Sequence, residues 1–281
     1  MIMIKKANPV GFCWGVRRAI NIAEDALKNK TKIYSFGPII HNPLVVKELS
    51  SKGLEVIKDT DQAINGRILI RSHGIRQSVR KRIKANKIGI VDATCPFVKR
   101  SHRIVNNLKR EGFYIIIAGE ANHPEVAALA EAAGKNKRIV INSKQIKRLN
   151  LKNKEVALLA QSTLTKSLFE EITQSLRDKN PAKLKVFDTI CSDVAKRQYE
   201  AARLSKTVDL MLVIGGKVSA NTKRLAELCK KEGVKTYHTE TEKEIKNEWF
   251  KGAKSVGVIS GSSTPSWIVD RVIARIKQIN V

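Results

Sequence analysis

The chain is short of acids, aromatics and cysteines, and each shortage narrows what it can be. Only 26 Asp and Glu stand against 53 Lys and Arg, for a formal net charge of +27. Aromatic residues make up 5% of the chain. No aromatic RNA-binding motif is present, which removes the stacking platforms that single-stranded nucleic acid requires. The longest apolar runs, such as Tyr114–Ala118 and Leu210–Ile214, fall far below the roughly 18 residues of a membrane span. The start, Met1-Ile2-Met3-Ile4-Lys5-Lys6, lacks a signal peptide's order of basic, apolar and cleavable segments, so a cytoplasmic location is the default expectation. There are four cysteines, widely spaced. In a reducing compartment that pattern points to metal or catalysis rather than a disulfide framework. It lacks the close pairs of a zinc ribbon.

What is plentiful is lysine, arginine and alternating apolar segments. The basic residues are spread along the chain rather than massed in one block. Such charge suits a solvated, Lys-rich surface. It would also draw in an acidic redox protein by electrostatic steering. Nucleic-acid binding would use the same charge, but no specific nucleic-acid motif accompanies it. At 281 residues the length suggests about two domains, and internal repetition revises that to three.

The repeat centres on Val91-Asp92-Ala93-Thr94-Cys95-Pro96-Phe97-Val98, where an apolar run meets a helical one with a cysteine at the junction. The design recurs at Val186–Val194 around Cys191, and more loosely at Val10–Val16 around Cys13. All three read Cys-x-x-Val. Asp92 and Asp188 stand three residues before their cysteines, as expected of junction or capping residues. After each cysteine comes an amphipathic helical pattern, then an apolar strand ending in glycine, then a polar residue four positions on. Those pairs are Gly37 and His41, Gly119 and His123, and Gly215 and Ser219. A second strand in each third ends in a polar cluster: Arg71-Ser72-His73, Gln161-Ser162-Thr163 and Ser260–Thr264. Three α/β repeats are therefore expected over 13–95, 96–191 and 192–281, with mainly parallel sheets and right-handed crossovers. By the same logic, residues 1–12 should complete the last sheet and close a pseudo-threefold ring.

Polar loops at the carboxyl ends of parallel strands are where such folds bind ligands. Three cysteines at equivalent positions and at helix starts can hold three corners of an iron–sulfur cluster, because the helix dipole favours thiolate and sulfide charge. One iron would then lack a protein ligand and be open to act as a Lewis acid. Cys229, inside Leu225-Ala226-Glu227-Leu228-Cys229, reads as core. His41, His73, His123, Ser219, Asn221, Thr163 and Ser263 form a potential anion site without a P-loop. Glu125, two after His123 at a helix start, is the one obvious proton donor near it. His102 and His238 read as structural.

These segments together resemble the IspH or LytB family, the 4-hydroxy-3-methylbut-2-enyl diphosphate reductases, over essentially the whole chain. The matching stretches are Gly11–Val16 with Arg18–Ile20, Gly37–Asn42, Ser72–Gly74, Asp92–Pro96, His123–Val126, Gln161–Leu164, Thr189–Cys191 with Arg197-Gln198, and Ser262–Pro265. The resemblance implies a three-domain α/β trefoil around a central [4Fe–4S] cluster held by Cys13, Cys95 and Cys191, with one open iron. It implies that His41, His73, His123, Ser219, Asn221 and Ser263 bind the diphosphate, and that Glu125 and Thr163 deliver protons. It further implies isopentenyl and dimethylallyl diphosphate as products and ferredoxin or flavodoxin as electron donor. The chain departs from the pattern at Val218 and Ala220, where the family usually carries Asn and Ser, and at Ala127–Ala130. Two other readings compete: a three-cysteine dehydratase of the quinolinate-synthase type, against which His123-Pro124-Glu125-Val126 argues, and a basic nucleic-acid-binding protein.

Overall fold

A computed structural model describes residues 2–29 and 31–279. The repeat boundaries at Met1 and Val281 lie outside them. With two exceptions, strands and helices alternate. They are β1 (Met3–Lys6), α1 (Trp14–Leu27), β2 (Lys32–Phe36), α2 (Pro43–Ser51), β3 (Leu54–Ile57), β4 (Gly66–Ile70), α3 (Gln77–Ala85) and β5 (Gly89–Asp92). Next come α4 (Pro96–Arg110), β6 (Tyr114–Ala118), α5 (Pro124–Ala133), β7 (Lys137–Val140), α6 (Ser143–Lys147), β8 (Glu155–Ala160), α7 (Lys166–Arg177) and β9 (Lys183–Phe187). The last are α8 (Ser192–Ser205), β10 (Leu210–Ile214), α9 (Ala220–Lys231), β11 (Lys235–Thr239), β12 (Ser255–Ser260) and α10 (Ser266–Lys277). Only short 3-10 turns separate β3 from β4 (Thr60–Gln62) and β11 from β12 (Glu242–Glu244 and Asn247–Phe250).

Three four-stranded sheets result, ordered β3-β2-β4-β5, β7-β6-β8-β9 and β11-β10-β12-β1. Every pairing is parallel. The three orders are the same pattern, with β1 in the place that β5 and β9 hold in the other two. β1 runs beside β12 in the register Met3 to Ser255 through Lys6 to Val258.

Parallel strands covered on both faces must be apolar on both, which is why these read as continuous hydrophobic runs. In the second sheet Ile115, Ile117, Ala157 and Leu159 face one way, into a core with Val105 and Leu108 of α4 and Val126 and Leu129 of α5. Ile116, Ala118, Leu158 and Ala160 face the other, against Phe169, Ile172 and Leu176 of α7. The third sheet divides likewise. Leu210, Leu212, Val256 and Val258 meet Ile268, Val269, Val272 and Ile276 of α10. Met211, Val213 and Ile259 meet Leu204, Leu225 and Cys229 on α8 and α9. Cys229 is a fully buried core residue there, and burial pushes its thiol pKa up.

The chain forms two compact units. One comprises Met1–Arg17, Ile40–Val46 and Ser192–Val281, and carries the third sheet. The other comprises Arg18–Ile39 and Lys47–Cys191, and carries the first two. The short loop with His41 and Asn42 thus belongs, by packing, with the third sheet. Among the described residues no helix is long and apolar enough to cross a membrane.

Two strands and one helix are additions to the sequence reading. β3 has only its end residues buried, and β11 (Lys-Thr-Tyr-His-Thr) is polar. Both are edge strands, half solvated and lacking the apolar run of a central strand. α6 is five residues long and is started by Asn142, whose side chain accepts the Gln145 N–H.

Candidate active site

Each of the three repeated cysteines stands at the start of a helix. Cys95 is the N-cap of α4, with Pro96 in the first turn. Cys13 and Cys191 directly precede α1 and α8. The same backbone bond fixes all three. The N–H of Cys13 donates to the carbonyl of Ser262 at 3.0 Å, that of Cys95 to Ser72 at 3.0 Å, and that of Cys191 to Ser162 at 2.9 Å. Each acceptor lies in the polar cluster after the second central strand of its sheet. None of the three forms a disulfide and each is partly exposed, and the Val16 N–H donates to Cys13 Sγ at 3.4 Å. A half-open thiol with helix N–H groups before it is a good setting for a thiolate. Among the described residues, no group of three His, Cys, Asp or Glu side chains is gathered as a metal site.

Aspartates set two of these junctions. Asp92 Oδ1 accepts the Thr94 N–H at 3.0 Å, and Asp188 Oδ1 accepts the Ile190 N–H at 3.0 Å. Both are side-chain turns that hold the approach to the cysteine. Asp92 also pairs with Arg80 at 2.9 Å and Lys99 at 3.0 Å. Burial alone would raise its pKa. Hydrogen bonds from Thr94 and Lys99 outweigh that and bring the carboxyl down to about 2.

In the unit of the third sheet, two loops are tied together. Asn42 Nδ2 donates to the Ser263 carbonyl at 3.0 Å, and Ser263 Oγ donates to the His41 carbonyl at 3.3 Å. Gly216 is required beneath them, because a Cβ there would stand 2.6 Å from the His41 carbonyl oxygen. Ser219 caps α9 by accepting the Thr222 N–H. Asn221, in the first turn, donates from Nδ2 to Ser262 Oγ at 3.3 Å. Its Oδ1 is buried with no hydrogen-bond partner among the described residues. Arg197 is fully buried and fully used. It bonds Asp193 at 2.7 Å, the Ser260 carbonyl at 2.9 Å and the Gly11 carbonyl at 2.9 Å, bracing the turn that leads to Cys13.

In the other unit, the rings of His73 and His123 meet edge to face with centroids 5.8 Å apart. Ser72 Oγ lies 3.3 Å from His73 Nδ1. His123 caps α5, its Nδ1 accepting the Glu125 N–H at 3.3 Å. A nitrogen that accepts carries no proton, so the hydrogen bond assigns the His123 proton to Nε2. Glu125 is completely buried. One of its oxygens accepts the Ser162 N–H at 2.9 Å and the other accepts the Ser162 hydroxyl at 2.6 Å. Thr163 Oγ1 accepts from Gln161 Nε2 at 2.7 Å, and Gln161 Oε1 accepts the Glu120 N–H at 2.9 Å.

The structure therefore gathers the predicted residues in two sets. His73, His123, Glu125, Thr163, Cys95 and Cys191 lie in one unit, and His41, Ser219, Asn221, Ser263 and Cys13 in the other. The sequence reading passed over Ser162, the residue that holds both Glu125 and Cys191. It also left out Asn42 and Arg197 as site-building groups. Their presence in the motif segments was the one signal available. Outside the site, His238 lies in β11 with Nε2 at 2.8 Å from the Gly215 carbonyl, a structural role. His102 lines a cavity of about 330 Å³ with Arg80, Asp92 and Lys99.

A family model described as LytB protein matches residues 4–277. The chain is 41% identical, over 280 residues, to a 4-hydroxy-3-methylbut-2-enyl diphosphate reductase of Pelobacter propionicus, covering 100% of this chain and 98% of that one. Among solved structures, it matches the E-1-hydroxy-2-methyl-but-2-enyl-4-diphosphate reductase of Plasmodium falciparum with a TM-score of 0.93 and 30% identity. That match covers 97% of this chain and 87% of the other. An (E)-4-hydroxy-3-methyl-but-2-enyl diphosphate reductase, the terminal enzyme of the non-mevalonate pathway, matches with a TM-score of 0.72 and 37% identity, over 99% and 100% of the two chains.

Proposed function

Because the chain belongs to the LytB family, we propose that it is an oxidoreductase that removes the hydroxyl of (E)-4-hydroxy-3-methylbut-2-enyl diphosphate. Two electrons and two protons are consumed, the C–O bond breaks, and the oxygen leaves as water. Isopentenyl and dimethylallyl diphosphate are the products. The observation that carries this reading is Ser162. Its hydroxyl and N–H both bind the buried Glu125 carboxylate, and its carbonyl binds the N–H of Cys191. One residue thus couples a proton-carrying group to a thiol suited to metal.

The donor set fits an iron–sulfur cluster: three part-exposed cysteines outside any disulfide, each at a helix start and each anchored by the same backbone bond. Cys13, Cys95 and Cys191 would hold it, standing at the boundaries of the repeats 13–95, 96–191 and 192–281, with 1–12 joined to the last. When bound, a [4Fe–4S] cluster supplies the electrons and, at the iron without a cysteine, a Lewis acid. The protein does the rest. His41, His73, His123, Ser219, Asn221 and Ser263 bind the diphosphate through neutral donors. His123 suits this, since with Nδ1 accepting the Glu125 N–H its proton is on Nε2. Glu125 relays a proton toward the leaving hydroxyl, with Ser162 and Thr163 orienting the exchange. The absent hydroxyl at Ala220 weakens diphosphate affinity and leaves the chemistry intact.

The electron donor is a small acidic carrier, ferredoxin or flavodoxin, which the net charge of +27 would attract. A cytoplasmic location follows from the same reading, because the free thiols and the cluster need a reducing compartment. The test is direct. Protein reconstituted anaerobically with iron and sulfide should be brown and, given a chemical reductant, should convert the hydroxylated diphosphate to the two products. A brown protein that leaves the substrate unchanged would defeat the proposal.

A further inference from the structure

Arg197 and Arg71 both hold guanidinium atoms out of water, and their fates differ. Arg197 is enclosed by a carboxylate and carbonyls. Arg71 has no such company. It follows β4 directly, and its Nε is buried without a hydrogen-bond partner among the described residues. Among the described residues no carboxylate pairs with it, and burial alone pulls its pKa below the ordinary arginine value. Its guanidinium lies on Gly37, at the end of β2, where a Cβ would come within 2.8 Å of Nη1. Arg71 therefore sits at the carboxyl ends of two central strands, the edge at which such sheets bind ligands. Ser72, next in sequence, accepts the Cys95 N–H, and His73 follows.

Holding a guanidinium partly out of water without a counter-charge is costly, and a ligand that supplies the charge offsets that cost. The groups assigned above to the diphosphate are hydroxyls, an amide and imidazoles, none of which carries a fixed positive charge. A diphosphate carries several negative ones. We propose that Arg71 is a further substrate-binding residue, a permanent cation that pairs with the diphosphate of the allylic substrate. The assignment rests on the reductase reading of the site. A guanidinium suits the task better than an ammonium because its planar fork matches two phosphate oxygens.

The test uses the anaerobically reconstituted holoenzyme and inorganic pyrophosphate as probe, followed by calorimetry. Losing one charge-assisted contact should weaken pyrophosphate binding by roughly 10- to 100-fold in R71Q, and R71K should recover part of it. In turnover with a chemical reductant the loss should fall on KM more than on kcat. R67Q, which removes an exposed arginine from the same strand, should leave pyrophosphate affinity as it was, separating local pairing from net charge. Without pyrophosphate, R71Q should melt no lower than the parent, since it removes an unpaired charge, and it should gain less from added pyrophosphate. Pyrophosphate affinity in R71Q within twofold of the parent overturns the proposal. So does unchanged affinity with a more negative cluster potential, which would mark the thiolates and cluster as the partner instead. Failure of the reductase reading would look different: the parent itself would not reduce the allylic diphosphate.

Discussion

Ser162→Ala is the substitution that most directly probes how the site works. It deletes a hydroxyl that donates to Glu125 at 2.6 Å and leaves the 2.9 Å backbone bond to the other carboxylate oxygen in place. The carbonyl that receives the Cys191 N–H is also untouched, because it belongs to the main chain. Removing one donor from a fully buried carboxylate costs about 1–3 kcal/mol, which corresponds to roughly a 5- to 150-fold effect on any step that depends on that carboxyl's position. Turnover should therefore fall by about tenfold to a hundredfold. The brown chromophore and its iron content should match the parent. Ser162→Thr keeps a hydroxyl on the same carbon and should recover most of the rate. The measurement is anaerobic single-substrate kinetics with a chemical reductant, alongside the visible spectrum. Parental turnover in the alanine variant would refute the coupling of Ser162 to proton delivery. Loss of the chromophore would show that the residue acts on the cysteine instead.

The other expectations are simpler. Glu125→Gln should keep the chromophore and lose most of its turnover, since an amide has no acid proton to give. Cys95→Ser should lose the chromophore, whereas Cys229→Ala should keep it and only lower thermal stability, as expected of a buried core thiol; iron content and melting curves read both. Gly216→Ala should raise KM by displacing the His41 carbonyl, which a new Cβ would approach to 2.6 Å. The pH dependence of stability should show Asp92. Its folded pKa of about 2 lies below the ordinary 3.8, so its contribution is present above pH 4 and is lost as pH falls toward 2. After allowance for solvent screening of this half-open group, that is about 1–2 kcal/mol. Asp92→Asn should therefore flatten the acid limb of a chemical-denaturation series, and an unchanged limb would count against the Asp92 network.

The central strands were legible because a strand covered on both faces has to be apolar at every position, as Tyr114–Ala118 and Leu210–Ile214 are. The edge strands β3 and β11 obey no such demand and passed unseen. The repeated cysteines announced themselves by their shared surroundings. What fixes each of them is a backbone bond to a serine carbonyl, and main-chain partners leave no mark in a sequence. Ser162 and Thr163 are neighbours with the same functional group. Only the side-chain geometry shows which one meets Glu125 through both its hydroxyl and its N–H. Arg71 was hidden for the opposite reason. It was one basic residue among 53, and only its burial without a partner sets it apart.

The pairing of β1 with β12 has a consequence for how the protein is made. The strand Met3–Lys6 has its partner far along the chain, so it must wait for residues 255–258 before it can join a sheet. Contacts so distant in sequence are slow to form. Cys13 waits with it, because the carbonyl that fixes its N–H belongs to Ser262. Cys95 and Cys191 find their serine partners earlier, within segments already synthesised. Of the three thiols, Cys13 is therefore the last to be set in place, and a cluster held by all three would form only once the chain through Ser262 has been made.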